Sequence, residues 1–409
     1  MQKFALNFIC KNESHIISRM LDSTKPITDL IVAVDTGSSD NTIAIIEDYG
    51  KKHHIPTYVF QRPFDNFANS RNHAICKLKE VVEDLAWDAH STWGFCIDCD
   101  GIMRIDNWFD KAVVSCDYYF VYCFVGEMKY TKTLFYRLDL DFLWEGPIHE
   151  FMVNRNQPYS KAIIAGIQIK YDTKGASWKG DLEAKFINYV RLLKAYVHDG
   201  NNRFRWVYYI GESYFEAANV SKSKERKKTY LLEALSFYKE ALALDSEIRH
   251  ERYRACERIA LVKLDLKEDW EHVRDALLTA YTIDKRYAEP FFHLIDHYIK
   301  SGQWQVAYLF SSFAVANYHG SIPGDSDMVE MTESLYQWKL LFLHSVICIN
   351  SGRVEEAKPS HSALLRIIKE RPRYFKKSDI VLIRLSSPTL TSILRRLERF
   401  YFRLNFLSK

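Results

Sequence analysis

The chain has 409 residues, 47% hydrophobic and 26% charged, a length that suggests two or three domains and a composition that excludes disordered and fibrous proteins. Residues 1–175 carry 19 Lys and Arg against 23 Asp and Glu, and the remainder 37 against 29. A net charge of +4 with no recognisable binding motif falls short of a nucleic-acid footprint, so no nucleic acid is expected as a partner.

The first hundred residues alternate short apolar runs with helix-like segments, as βαβ units do. Phe4 to Cys10 is apolar, and Asn12, Glu13 and Ser14 then offer helix-start chemistry before the periodic Ile16, Ile17, Met20 and Leu21. Leu30 to Val34 is a continuous apolar run, the pattern of a strand buried on both faces of a parallel sheet, and it ends in Asp35. Residues 36–42 supply a turn and several N-caps for a helix containing Ile43, Ile45 and Ile46. Tyr58 to Gln61 reads as a strand, Ala68 to Leu85 as a helix, and Trp93 to Ile97 as a strand that delivers Asp98 and Asp100. In open α/β sheets ligands bind beyond the carboxyl ends of the strands, where Asp35, Asp98 and Asp100 would converge.

Beyond about residue 175 helical periodicity takes over. Leu294, Ile295, Tyr298, Ala307, Ser311 and Ala314 have the spacing of a tetratricopeptide repeat, with Gly302 at the inter-helix turn and Pro290 ahead of the first helix. Ile210, Gly211, Tyr214, Ala234, Tyr238 and Ala241 give a second unit, Gly352 and Ala357 mark a third, and Ala276 to Ala280 a fourth. Residues 1–175, 176–375 and 376–409 are therefore expected as an α/β domain, an all-α repeat domain and an amphipathic basic helix. Thr391 to Lys409 reads as a cap on the repeats, with a membrane-surface or dimer contact as the alternative. No apolar run approaches the roughly 20 residues that span a bilayer, and the apolar stretch at the start is too short for a secretory signal, so a cytoplasmic location is expected. Eight dispersed cysteines read as reduced and mostly buried.

Carboxylates gathered at strand ends can hold a divalent ion, which acts as a Lewis acid toward phosphate oxygens. Asp98-Cys99-Asp100 offers two carboxylates at one strand end. The Asp-x-Asp pattern also occurs at Asp139-Leu140-Asp141 and Asp325-Ser326-Asp327, but only the first follows an apolar strand-like run, Phe95-Cys96-Ile97. Mn²⁺ or Mg²⁺ is the expected cofactor, both preferring oxygen ligands. Cys96 and Cys99 form a CxxC, yet strand alternation puts them on opposite faces, against a redox or zinc role.

Asn12-Glu13, Val34-Asp35-Thr36-Gly37-Ser38-Ser39-Asp40-Asn41-Thr42, Phe64-Asp65-Asn66-Phe67-Ala68-Asn69-Ser70-Arg71-Asn72 and Asp98-Cys99-Asp100 together resemble, in order, the family-2 glycosyltransferase pattern. Trp144-Glu145-Gly146-Pro147-Ile148-His149-Glu150 extends the resemblance to the subgroup with tetratricopeptide repeats, a layout similar to that of bacterial peptide S-glycosyltransferases. The resemblance implies a GT-A fold, a Rossmann-like mixed sheet, and a nucleotide-sugar donor, with UDP-sugars foremost. It also implies roles. Asp35 would meet the base, Asp98 the ribose or metal, Asp100 the metal, and Arg71, beside Asn72, the diphosphate. Trp144 would stack on a sugar ring, and His149 would be a metal ligand or orient the acceptor. Glu150 would be the base, with Asp139 and Asp141 as rivals, in a single inverting displacement. Gly101 stands where the family often has a third acidic residue, which leaves the metal coordination open. The acceptor is a peptide or protein, or else a glycan, and a homodimer through the repeats is conceivable. Two other readings remain. A sugar nucleotidyltransferase lacks support, since Cys10-Lys11-Asn12-Glu13-Ser14 stands where its Gly-rich loop belongs. A peptide-binding repeat protein with an inactive α/β domain is opposed by the intact Asp35, Arg71, Asp98 and Asp100.

Overall fold

The computed structural model describes residues 2–155, 158–172, 175–197, 202–244, 249–321 and 331–386. The chain opens with β1 (Lys3–Cys10), α1 (Ile17–Thr24), β2 (Leu30–Asp35), α2 (Thr42–His53), β3 (Thr57–Gln61), α3 (Phe67–Asp84) and β4 (Thr92–Phe95). There follow β5 (Gly101–Ile105), β6 (Tyr118–Val125), β7 (Met128–Arg137), a ribbon of β8 (Phe142–Glu145) and β9 (Phe151–Asn154), and β10 (Lys161–Tyr171). The main sheet runs β3-β2-β1-β4-β7-β6-β10-β5. Its first four strands are parallel, so the carboxyl ends of β2, β1 and β4 share one edge. Beyond them β7 is antiparallel to both β4 and β6, and β10 is parallel to β6 and antiparallel to β5. This is a mixed sheet, and the switch of direction falls beside β4.

All six residues of β2 are buried, as its unbroken apolar run requires of a strand covered on both faces. On one face Phe4, Leu6, Phe8, Ile31 and Ala33 pack with Ile17, Met20 and Leu21 of α1 and with Ile46 and Tyr49 of α2. On the other, Ala5, Leu30 and Val32 meet Ile75, Leu78 and Val82 of α3. Period-2 alternation along the strands separates these two cores. Cys96 lies with the second and Cys99 with the first, and all eight cysteines are free. Asn7 interrupts the alternation of β1. Its amide donates to the carbonyls of Val32 (3.2 Å) and Ala74 (3.0 Å) and its Oδ1 accepts from the Tyr136 hydroxyl (3.0 Å), which offsets its burial.

Helices follow the sheet: α4 (Leu182–Tyr196), α5 (Arg203–Val220) and α6 (Lys224–Ala243), then α7 (Arg249–Asp265), α8 (Trp270–Ile283), α9 (Glu289–Lys300), α10 (Trp304–Tyr318), α11 (Leu340–Asn350), α12 (Val354–Glu370) and α13 (Lys377–Leu385). The chain divides into two compact units near residue 246, so α4, α5 and α6 go with the sheet and α7 onward form the second unit. Leu294, Ile295, Tyr298, Ala307, Ser311 and Ala314 are buried in the α9 and α10 pair, with Gly302 at the turn between them. Tyr238 of α6 packs across Gly211 of α5. Among the described residues no helix is long and apolar enough to cross a membrane. Asp325-Ser326-Asp327 and the helix expected over Thr391 to Lys409 lie outside the described residues.

Gly94 lets β4 run beneath the Tyr136 ring, where a Cβ would stand 2.5 to 2.7 Å from the ring carbons and hydroxyl. Gly94→Ala is expected to destabilise the protein by about 1–3 kcal/mol through overpacking, read as a lower urea midpoint at unchanged m-value. An unaltered midpoint would show that Tyr136 has room to yield.

Candidate active site

The loops leaving β1 and β2 are knitted together before they meet any ligand. Asn12 takes a positive φ of 56°, its N–H donates to Ser38 Oγ (2.9 Å), and its side chain accepts from Ser39 N (2.8 Å). Glu13 N donates to Thr42 Oγ1 (2.8 Å), and Ser14 N donates to Asp40 (3.1 Å). Burial would raise the Asp40 carboxyl, but donors from Ser14 and Thr42 outweigh it and hold the group at about 2. Asp35 is buried, and its carboxylate accepts from Gly37 N (3.0 Å), Ser38 N (2.8 Å) and Ser38 Oγ. Asp35 therefore shapes the loop that follows it. It lies two strands from β4 across β1, so it shares a sheet edge with Asp98 and Asp100.

The centre of the site is Arg71, in the first turns of α3, a helix capped by Asn66 accepting from Asn69 N (2.8 Å). Its side chain is only 6% exposed. Nη2 donates to Asp98 (2.6 Å), Nε to Glu150 (2.7 Å) and Nη1 to Cys96 Sγ (2.9 Å), while the guanidinium carbon stands 5.2 Å from the Trp144 ring centroid. Asn72 grips the ribbon, donating to Trp144 O (2.9 Å) and accepting from Trp144 N (2.7 Å). The other oxygen of Asp98 is bonded by Lys132 Nζ. Burial alone would raise the Asp98 carboxyl, but Lys132 and Arg71 overcome it and hold the group well below the usual carboxylate range. Asp100 behaves in the opposite way. Burial first, and the Asp98 charge second, push it up to about 6, with Asp172 adding to the rise.

The turn between β8 and β9 carries Gly146 at φ +103° and His149 at +49°. A Cβ on Gly146 would stand 2.3 Å from the Trp206 ring of α5, so glycine lets this turn dock there. His149 stacks on Tyr209 of α5 (4.2 Å between centroids, 8° between planes) and its carbonyl accepts from Arg205 (3.2 Å). Tyr189 of α4 stands edge-on to His149, and burial, with the charge of Glu150, raises its phenol to about 12. Lys185, lowered by burial against the pull of Asp100, lies 4.4 Å from the Trp178 ring centroid. Gly175 lies against Asp100, and Ala176 N donates to Glu13 (3.0 Å).

The structure thus gathers Arg71, Asp98 and Glu150 in direct contact, with Trp144 under the guanidinium and Asn72 behind it. Trp144 itself is buried, so Arg71 covers a ring that the sequence suggested for a sugar. His149 is turned to the helices. Among the described residues no three His, Cys, Asp or Glu side chains converge as a metal cluster, so Asp98, Asp100 and His149 are not brought together as one ligand set. Both oxygens of Asp98 already carry a cation, whereas Asp100 is raised chiefly by burial, with Asp98 adding to the rise and Lys132 opposing it. Asp100 fits a Mg²⁺ or Mn²⁺ site of the kind that takes one or two carboxylates and completes its shell with substrate phosphates and water. Beside Asp141, Lys79 of α3 donates to the Leu140 carbonyl (3.1 Å). Asp139 is engaged by Arg137 (2.6 Å) and His90 (2.9 Å). Sequence reasoning missed Lys132, Tyr189, Tyr209 and the contact of Ala176 with Glu13. Lys132 had left a trace, a lysine between Tyr130 and Leu134 on one face of a strand; the helical residues had left none.

Residues 8–167 match the family model described as glycosyl transferase family 2. This part of the chain is a family-2 glycosyltransferase domain. Its mixed sheet is GT-A-like, and the second unit of the chain is built mainly of helices. An uncharacterized glycosyltransferase of Rickettsia conorii is 43% identical over 51 residues, 12% of this chain and 18% of that protein. Another from Rickettsia felis is 42% identical over 52 residues, 13% of this chain and again 18% of the relative. The chain thus spans less than a fifth of the length of these curated relatives. The solved structure of S. aureus TarS residues 1–349 in complex with UDP-GlcNAc is similar at a TM-score of 0.33 and 13% identity, covering 70% of this chain and 93% of that one. MamA is similar at 0.33 and 14%, covering 48% and 99%.

Replacing Arg71 in this glycosyltransferase domain by methionine leaves Asp98 and Glu150 without their shared cation, at an expected loss of roughly 3 kcal/mol in denaturant unfolding. A loss below about 1 kcal/mol would mean that the two carboxylates find water instead. Asp100 should titrate near 6 in metal-free protein when followed by carboxyl-carbon NMR, and Asp98→Asn should lower that value, because removing a neighbouring negative charge favours the ionised form. An unmoved midpoint would detach Asp100 from the Asp98 charge.

Proposed function

We propose that this chain transfers a sugar from a nucleotide-diphosphate donor, a UDP-sugar, to an acceptor nucleophile by a single inverting displacement. The observation that carries this reading is the pairing, at the strand ends of a family-2 domain, of a carboxylate bonded by two cations, Asp98, with the half-buried Asp100 two residues on. That contrast gives one edge for phosphate oxygens and one for a divalent ion. The loop held by Asp35 receives the base. Arg71 contributes its charge to the leaving diphosphate and fixes Asp98 and Glu150, so that the field is in place before bond breaking and needs no reorganisation.

Asp100, with Asp98 beside it, would hold the divalent ion. A Mn²⁺ or Mg²⁺ ion bound there supplies Lewis-acid neutralisation of the leaving diphosphate. Glu150 is the base that takes the acceptor proton. It is the carboxylate of the ribbon turn that reaches Arg71, whereas Asp139 is committed to Arg137 and His90. His149, held against Tyr209, orients the acceptor. The acceptor is a peptide or a glycan, presented by the tetratricopeptide-like helices.

The test is a panel of UDP-sugars scored for hydrolysis and transfer with and without Mn²⁺. Metal-dependent turnover is expected, and Asp100→Asn should reduce it by about 100-fold or more while leaving the unfolding midpoint near that of the parent protein. Turnover indifferent to Mn²⁺ and to this substitution would refute the reading.

A further inference from the structure

We infer that Lys132 is the cation that directly binds the donor diphosphate, and that Arg71 acts behind it as a positioning residue. The inference rests on the glycosyltransferase reading above and goes beyond it, since Lys132 belongs to none of the motifs that carry that reading.

The sheet itself delivers Lys132. Strands β4 and β7 pair antiparallel with Trp93 opposite Arg137, Gly94 opposite Tyr136 and Phe95 opposite Phe135. Cys96 N donates to Leu134 O (3.1 Å), which continues the ladder past the end of β4. The same register brings Lys132 level with Asp98, and Lys132 Nζ is hydrogen-bonded to Asp98 Oδ2. The ammonium lies 5.5 Å from the centroid of the Tyr171 ring. The strand is an interior one, flanked by β4 and β6, where an apolar side chain would serve packing as well. A partly buried ion pair is a weak source of stability, because desolvation offsets the Coulomb gain. A lysine in such a place calls for a reason other than packing.

Accessibility separates the two cations. Arg71 is 6% exposed, and each of its three nitrogens already has a partner, in Asp98, Glu150 and Cys96. Its two remaining N–H donors belong to a buried group anchored to elements that it holds together. Lys132 is 25% exposed, and an ammonium has three N–H donors, of which Asp98 takes one. Its flexible stem carries a compact charge suited to phosphate, and it can turn from Asp98 without disturbing the backbone. Asp98, gripped from its other oxygen by Arg71, holds the lysine in place. No covalent step is involved: the lysine exchanges a carboxylate partner for a phosphate one.

Uridine and UDP, each with Mn²⁺, would be titrated by calorimetry into the full chain and into its K132Q and K132M variants. UDP affinity should fall about tenfold or more in both, the scale of one charge-assisted hydrogen bond, with uridine affinity unchanged. The methionine variant keeps the stem volume and should stay folded if glutamine does not. UDP affinity equal to that of the parent, or equal losses for UDP and uridine, would overturn the assignment of Lys132 alone. If the parent chain bound neither compound, the glycosyltransferase reading would fail first and this inference with it.

Discussion

A guanidinium buried among two carboxylates and a thiol is the constraint on which the site depends. Arg71 comes from α3, Asp98 from the segment after β4, and Glu150 from the turn between β8 and β9. No two of these are close in the chain. Placing such a group out of water costs several kcal/mol unless its N–H donors are met, so the three elements are locked to one geometry by a cost that any displacement would reinstate. Asn72, one residue on, fastens the ribbon through both backbone groups of Trp144 and so holds the distance that the ion pairs need.

That lock makes two neighbouring aspartates different. Asp98 has a cation on each oxygen and stays ionised far below the ordinary range. Asp100, which shares the turn but neither cation at bonding distance, is pushed up to about 6 by burial and by Asp98 itself. Carboxylates whose environments push their proton affinities apart are the usual basis for giving such groups separate tasks. This division is what the proposed roles of Asp98 and Asp100 rest on.

Helices α4 and α5, which belong to the compact unit of the sheet, finish the rim. Tyr189, Tyr209 and Trp206 meet the ribbon turn, and Lys185 and Trp178 lie on the side of Asp100. The catalytic domain is therefore completed by the first helices of what the amino-acid pattern presents as a separate helical region. His149 shows the consequence: packing with Tyr209 turns its ring toward the helices, while its neighbour Glu150 reaches Arg71.

Local signals in the sequence determined the parallel half of the sheet, the helices between its strands and the edge at which Asp35, Asp98 and Asp100 emerge. They are legible because period-2 and period-3.6 burial and turn residues act over a few residues, as the fully apolar Leu30–Val34 illustrates. Tertiary structure alone decided what each charged group touches. Whether Asp35 serves its own loop, whether Arg71 is exposed, and which strand brings a lysine to Asp98 depend on register and on packing between distant segments. Electrostatic energy in a buried site varies with distances of a few ångströms, and those distances are set only when β7, the ribbon and α5 come together around α3.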